Sequence, residues 1–100
     1  MKNLKLLRQE IKAKTTKEIT AQILSFIGYE IDRNYKFKLR EEHTSSASIS
    51  ELGFITDFGS GWSGDIVAIL HEYKYISLSE ATIYVAKLLN IDIEDGRYKL

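Results

Sequence analysis

The 100-residue chain contains no cysteine, and this absence restricts its possible folds more than any other feature of the sequence. Disulfide bonds, iron–sulfur clusters and zinc sites built from thiolates are all excluded. Packing of apolar side chains therefore has to stabilise the fold, within a length that is typical of one domain. A chain this short has little core to spare for a deep catalytic cavity, so we expect binding rather than catalysis.

Basic and acidic residues are divided along the chain, although the formal net charge is zero. Residues 1–40 carry ten Lys and Arg against four Asp and Glu, and residues 41–100 carry four against ten. If folding keeps these parts separate, the basic surface attracts a polyanion. The alternative is that folding interleaves the two charge blocks, which leaves no single basic surface.

No apolar run approaches the roughly 18 residues that a membrane span needs. The start of the chain also lacks the continuous apolar stretch and the small-residue cleavage site of a secretion signal. We therefore expect a cytoplasmic protein that makes no contact with a membrane.

Two amphipathic helices are predicted near the start of the chain. Leu4, Leu7 and Ile11 recur at helical spacing among basic residues, which predicts a first helix with a basic outer face. Thr15 and Glu18 have the spacing of a capping box and predict the start of the second helix.

Three short strands are predicted in the middle of the chain. Strict alternation over Tyr35–Arg40 predicts a strand with one buried and one basic face, and shorter strands are predicted around Ala47–Ile49 and over Phe54–Phe58. The segment Gly59–Gly64 has three glycines in six residues, which predicts a sharply turning loop rather than a strand.

Two further helices are predicted after this loop, and the second has capping-box spacing at Ser77 and Glu80. The predicted fold class is α+β, with amino-terminal helices, a small three-stranded antiparallel sheet and then two helices. We expect an amino-terminal basic helix or arm over 1–14, a single domain over 15–93 and a polar tail over 94–100.

Five motifs follow one another in a distinctive order. They are Phe37–Arg40, Thr44–Ile49, the aromatic strand and glycine-rich corner Phe54–Gly61, the helix start Gly64–Ile66, and Ser77–Ala81. This order resembles the zinc-binding domain at the front of bacterial and phage DNA primases, over Tyr35–Ile93. The resemblance implies a zinc-ribbon-like sheet.

The chain departs from that family at the metal site. The family's zinc ligands fall on Phe37, Arg40, Asp57 and Ser60, and none of these is cysteine or histidine. One carboxylate cannot complete the tetrahedral site of a structural zinc, so we predict no metal and no other cofactor. We expect Phe37 to fill the space of the metal and an Arg40–Asp57 pair to supply a polar link.

The resemblance also implies a function. In that family the module does no chemistry itself but helps a catalytic primase domain engage template DNA and begin a primer. The present chain has no room for that catalytic domain, so we predict a non-catalytic accessory subunit that acts in trans with a DNA polymerase or primase catalytic subunit. The chain is similar, too, to the small primase-accessory proteins of staphylococcal cassette elements, which are mobile genetic elements.

Single-stranded DNA is the second expected partner. Lys36, Lys38 and Arg40 share one face of the predicted strand, about 6.6 to 7 Å apart, which is close to the spacing of phosphates along a single strand. Weaker members of this nucleic-acid-binding surface are Arg33, Lys14 and Lys17. The alternative interpretation is an ordinary solvated strand face.

Aromatic residues supply the candidate protein-binding surface. Trp62 lies in the glycine-rich segment, where it either anchors an interface or folds back over the hairpin. Tyr73 and Tyr75 flank Lys74 and either contact a partner or cover the seam between two helices. No catalytic residue is assigned, because neither His43 nor His71 has a convergent metal-binding or nucleophilic partner pattern.

Two alternative functions remain open at this point. The first alternative to an accessory subunit is a stand-alone single-stranded nucleic-acid-binding protein, for which the basic first forty residues are the evidence. The second is an adaptor that binds protein only.

The first testable prediction concerns the metal. We expect purified protein to carry much less than one zinc per chain by atomic absorption, and we expect a chelator to leave its melting temperature unchanged. A structural zinc contributes on the order of 10 kcal/mol to the folding of small domains, so a chelator-induced loss of structure would contradict the prediction.

Overall fold

The computed structural model describes residues 2–39 and 46–93. In these two ranges, four helices and four short strands follow one another. They are α1 (Leu4–Lys14), α2 (Lys17–Phe26), β1 (Lys36–Phe37), β2 (Ala47–Ile49), β3 (Ile55–Asp57), β4 (Trp62–Gly64), α3 (Ile66–Tyr73) and α4 (Leu78–Leu88). The fold class is α+β, as the sequence predicts. Within the described ranges, no helix combines the length and the apolar character that crossing a membrane requires.

The chain divides into two compact units, which we treat separately. The helical unit comprises Met1–Lys14 and Val67–Leu100, and the sheet unit comprises Thr15–Ile66. These bounds differ from the division predicted above, because the first helix belongs to the same unit as the last one. The division into an arm, a single domain and a tail stays a prediction, and the tail lies outside the described residues.

The helical unit is formed around the packing of α1 against α4. Leu7 and Ile11 of α1 are buried, as are Ala81 and Val85 of α4, which confirms the centre of each apolar stripe. The α4 stripe predicted from the sequence also included Leu78 and Leu88, and these two are exposed. Before α1, the backbone N–H of Lys2 donates to the carbonyl of Ile93 at 2.7 Å.

Helix α4 has well-defined ends. The Ser77 hydroxyl accepts a hydrogen bond from the Glu80 N–H at 3.2 Å, which confirms the predicted cap. At the other end Asn90 adopts φ of 58°, and the Ile91 N–H reaches the Ala86 carbonyl at 2.8 Å. This bond from the residue after the left-handed position is the signature of a Schellman motif.

The described part of the sheet unit contains four antiparallel strands in the order β1-β2-β3-β4, so the prediction of three strands is wrong. The additional strand is β4, inside the segment expected to be only a loop. Gly61 adopts φ of 80°, and its N–H donates to the Asp57 carbonyl at 2.8 Å. The chain reverses at this turn, and Trp62 then pairs with Asp57 and Gly64 with Ile55.

Strand β1 is shorter than the predicted strand Tyr35–Arg40. Tyr35 adopts φ of 59°, a left-handed conformation that interrupts an extended chain. The alternation beyond it is nevertheless present, since Phe37 and Leu39 are buried while Lys36 and Lys38 are exposed. Arg40 lies outside the described residues.

Helix α2 begins one residue later than the capping pattern predicts. Thr16 rather than Thr15 is the N-cap, and its hydroxyl accepts from the Ile19 N–H at 3.2 Å. Thr15 is instead buried. The Thr20 hydroxyl donates to the Gly53 carbonyl at 3.0 Å, which joins α2 to the turn between β2 and β3.

Replacement of Gly53 is expected to destabilise the sheet unit. A Cβ atom at Gly53 would lie 2.5 Å from side-chain atoms of both Thr15 and Thr20 and 2.9 Å from the Thr16 carbonyl oxygen. Overpacking and left-handed strain together predict that Gly53→Ala lowers the free energy of unfolding by about 2 to 5 kcal/mol in urea denaturation. Gly61→Ala is the control, because Gly61 has the same φ of 80° but open space at the Cβ position.

We expect Gly61→Ala to cost only the backbone strain, about 1 to 2 kcal/mol. Equal losses for the two variants would show that α2 and the β2–β3 turn are not in the close contact described above.

Candidate functional site

One row of residues crosses the sheet from edge to edge. Phe37 pairs with Ala47, Ala47 with Asp57, and Asp57 with Trp62. Directly paired residues in antiparallel strands share a face, so these side chains lie on the same side of the sheet. The first three are fully buried and Trp62 is half-buried. The row therefore places a carboxyl group inside the sheet unit.

Asp57 accepts hydrogen bonds from three directions. Its Oδ2 accepts from the Ser60 hydroxyl at 2.7 Å, and its Oδ1 accepts from the Gly59 N–H at 3.3 Å. The Ser46 hydroxyl, which enters from the residue before β2, also donates to Oδ1. Burial of a polar group without partners costs free energy, and these donors offset that cost. We call Ser46, Asp57, Gly59 and Ser60 the Asp57 cluster.

The Asp57 cluster fixes the turn between β3 and β4. The Trp62 N–H donates to the Ser60 hydroxyl at 3.3 Å, so a chain of hydrogen bonds runs from β4 to the buried carboxyl group. On the other side, the Phe58 N–H donates to the Ser46 carbonyl at 3.0 Å. The turn is thus joined to both β2 and β4.

Phe58 is the residue that this turn presents to solvent, with 76% of its surface exposed. The sequence analysis did not assign it a role. The alternation of the strand indicates its exposure: Ile55 and Asp57 point inward, so the next residue, Phe58, is directed outward. An exposed aromatic ring on a turn held by hydrogen bonds can contact a partner with little loss of conformational entropy.

The four positions on which the family's zinc ligands fall differ in their contacts. Asp57 and Ser60 are hydrogen-bonded to each other. Phe37 is fully buried and packs edge-on against Tyr29, with 5.4 Å between ring centroids. Arg40 lies outside the described residues, so the predicted Arg40–Asp57 pair is neither confirmed nor contradicted.

Metal-binding side chains do not converge in the described part of the chain. Across residues 2–39 and 46–93, no group of three or more His, Cys, Asp or Glu could hold a metal ion. The side-chain donors and acceptors of the Asp57 cluster are all oxygen atoms, which differs from the nitrogen and sulfur ligands of structural zinc sites.

The predicted nucleic-acid-binding residues do not behave alike. Arg33, Lys36 and Lys38 are exposed in the sheet unit, and Lys14 is exposed at the end of α1 in the helical unit. Lys17 is different because its Nζ lies 2.7 Å from Glu51 Oε1.

Lys17 also lies 4.9 Å from the centre of the Tyr35 ring, a cation–π geometry. The hydrogen bond to Glu51 raises the pKa of the Lys17 amine above its ordinary value. The charge is therefore partly neutralised by a neighbour, and Lys17 is a weaker candidate for contact with a phosphate.

A shallow groove of about 420 Å³ lies between α2 and the segment before β1. Arg33 and Tyr35 line it together with Gln22 and Ser25. Asp32 holds the preceding turn, since its Oδ1 accepts from the N–H groups of Asn34 at 2.8 Å and Lys36 at 3.0 Å. The sequence analysis assigned Tyr35 to a buried strand face, whereas the left-handed backbone places it at this groove.

Lys38 borders a different recess, which it shares with Tyr29 and Glu30. Lys36 and Lys38 are both exposed, but Arg40 lies outside the described residues, so the predicted row of three cations stays a prediction. Exposed Arg33 and half-buried Tyr35 line one groove, and Lys38 lines another. The idea that these residues contact nucleic acid stays a prediction.

The predicted partner-binding residues differ in exposure. Trp62 and Tyr73 are half-buried, whereas Tyr75 is 91% exposed. Tyr75 also adopts φ of 58°, an uncommon conformation for a bulky residue. The residue after Tyr75 is bonded back to α3, because His71 Nδ1 lies 2.9 Å from the Ile76 carbonyl oxygen, and the Ile76 N–H donates to the Leu70 carbonyl at 3.2 Å.

Comparison of this chain with models of protein families, with curated proteins and with solved structures found no match.

Substitutions in the Asp57 cluster are expected to be coupled. Asp57→Ala removes the acceptor of two hydroxyl groups and is expected to lower the free energy of unfolding by about 2 to 4 kcal/mol. Ser60→Ala removes one donor and is expected to cost about 1 kcal/mol. Because both variants remove the same bond, the double variant should cost less than the sum of the two, by at least about 0.5 kcal/mol.

Urea denaturation followed by the fluorescence of Trp62, the single tryptophan, measures these values. Ser63→Ala on the exposed face of β4 is the matched control and should change stability by less than about 0.5 kcal/mol. Strictly additive losses would contradict the hydrogen-bond network.

Proposed function

We propose that this protein is a non-catalytic DNA replication accessory subunit that binds a separate polymerase or primase polypeptide and helps it to initiate primers. The observation that carries the proposal is the Asp57 cluster. Two of its members, Asp57 and Ser60, occupy positions where the resembled primase domain has metal ligands, and they hydrogen-bond to each other at 2.7 Å.

The cluster offers a physical account of how such a domain keeps its form without a metal. In a zinc ribbon the ion joins two turns at the end of a sheet. Here the buried Asp57 carboxyl group accepts from Ser46, just before β2, and from Ser60 in the β3–β4 turn. It therefore joins two segments next to strands, as the ion does in a zinc ribbon.

Contact with single-stranded template DNA is the second part of the proposal. Arg33 and Tyr35 at the groove beside α2 combine a cation with an aromatic ring, the pair of groups that single-stranded nucleic acids bind by charge and stacking. Lys36 follows directly and is exposed.

The partner polypeptide is proposed to contact Tyr75. Its side chain is almost fully exposed and its loop is held by His71 and Ile76, so little ordering is required on binding. Tyrosine is also enriched among residues that dominate interface affinity.

The proposal is tested with a DNA polymerase or primase polypeptide from the genome that encodes this chain. We expect the two proteins to co-purify in a one-to-one ratio, and primer synthesis on an unprimed single strand to require both. Tyr75→Ala should weaken their association about tenfold or more, the effect of losing an interface hot spot. Phe26→Ala, also an exposed aromatic residue, is the control and should leave the affinity within about twofold.

Primer synthesis by the polymerase alone, at the same rate, would overturn the proposal. Tight DNA binding without any polymerase association would favour the stand-alone nucleic-acid-binding function. Polymerase binding and primer synthesis that both tolerate loss of all exposed cations near Tyr35 would favour a protein-only adaptor.

A further inference from the structure

A groove in the helical unit contains basic residues to which the sequence analysis assigned no site. It has a volume of about 420 Å³ and is lined by Leu4, Lys5, Arg8, Gln9, Lys12 and Leu78. Three of these six residues are cations and none is a carboxylate. We call this the α1 groove. Its position on α1 makes it distinct from the groove at Arg33 and Tyr35.

The cations follow the helix axis. Lys5, Arg8 and Lys12 are spaced by three and four residues, so they lie on one face of α1. From Lys5 to Lys12 the rise is about 10.5 Å, which corresponds to roughly three stacked nucleotides of one strand.

Two of the three cations of the α1 groove, Lys5 and Lys12, are not paired with an acidic residue among those described. Glu10 is the single acidic residue of α1, and its carboxylate is bound by Lys2 Nζ at 3.0 Å. Lys5 and Lys12 are exposed and form no salt bridge with another described residue. A ligand with negative charges along its length is complementary to this surface.

Apolar side chains of the groove favour a single strand over a duplex. Leu4 and Leu78 line the same groove as the cations. In a single strand the bases are accessible beside the phosphates, so cations and apolar groups are both satisfied. In a duplex the base faces are stacked inside, and only the charges would find partners.

We propose that the α1 groove binds the phosphate backbone of a single-stranded nucleic acid, with Lys5 and Lys12 as the principal phosphate contacts and Leu4 and Leu78 against the bases. This inference rests on the proposed function for the identity of the strand, which is the template. It assigns to α1 a binding role in addition to its packing against α4.

The test is fluorescence anisotropy of a labelled oligo(dT) 20-mer titrated with the full chain over a range of salt concentrations. Each phosphate contact contributes about 0.7 to the slope of log affinity against log salt for a single strand. Loss of two contacts in Lys5→Gln/Lys12→Gln should reduce the slope by about 1.4 and weaken binding about tenfold to thirtyfold at 0.1 M salt.

Lys87→Gln is the matched control, because Lys87 is an exposed lysine of α4 that does not line the groove. It should change affinity by no more than about twofold. The variant Lys36→Gln/Lys38→Gln removes the same charge as the groove variant. Its affinity for the oligonucleotide shows how much the surface at β1 contributes relative to the α1 groove. Circular dichroism verifies that each variant is folded.

Three results would overturn the inference. They are a Lys5→Gln/Lys12→Gln variant that binds as well as Lys87→Gln, equal affinity for a duplex of the same length, and equal affinity for polyglutamate at the same charge concentration. Undetectable binding of the oligonucleotide by the unmodified protein would overturn it as well.

Failure of this inference can be distinguished from failure of the proposed function. If the chain co-purifies with the polymerase and supports priming, but its DNA affinity does not depend on Lys5 and Lys12, the proposed function stands and the α1 groove inference fails. If the DNA affinity depends on Lys5 and Lys12, but the chain never associates with a polymerase, the α1 groove inference stands and the proposed function fails.

Discussion

The buried carboxyl group of Asp57 is the interaction on which the sheet unit depends. A polar group with no exposure to solvent is tolerated only with partners, and here two hydroxyl groups and a backbone N–H supply them. Those donors come from the start of β2 and from the β3–β4 turn. The same bonds that satisfy the carboxyl group therefore hold together strands of only two or three residues. Such short strands have little pairing of their own to stabilise them.

The turns that hydrogen bonds fix expose aromatic rings to solvent rather than burying them. Phe58 is exposed on the turn that the Asp57 cluster fixes, and Tyr75 is exposed on the loop that His71 holds. This arrangement suits the proposed binding role, since ordered side chains lose less entropy on association. The exposed cations are distributed differently: one group lies near Tyr35, and another row lies along α1.

Much of the helical structure was predictable because its signals are local. The apolar spacing of Leu7 and Ile11 and the cap at Ser77 depend on residues within one or two turns of each other. The strands were harder. Tyr35 belongs to an alternating pattern but adopts a left-handed conformation, and Trp62 lies among glycines yet forms an edge strand. The Tyr35 carbonyl accepts from the N–H of Ile49, which is distant in the sequence. Trp62 pairs with nearby Asp57 across a tight turn, and strand propensity alone does not encode either arrangement.

The amino-acid order by itself determined the α+β class and the approximate positions of the helices, because periodicity is a property of neighbouring residues. It also showed that no thiolate could bind a metal here. Only the tertiary structure decided what Asp57 binds, that Lys17 is engaged by Glu51, and that Lys5, Arg8 and Lys12 border one groove. Those facts depend on how separate segments approach one another, and hydrogen bonds and ion pairs act only over the few ångströms that folding establishes.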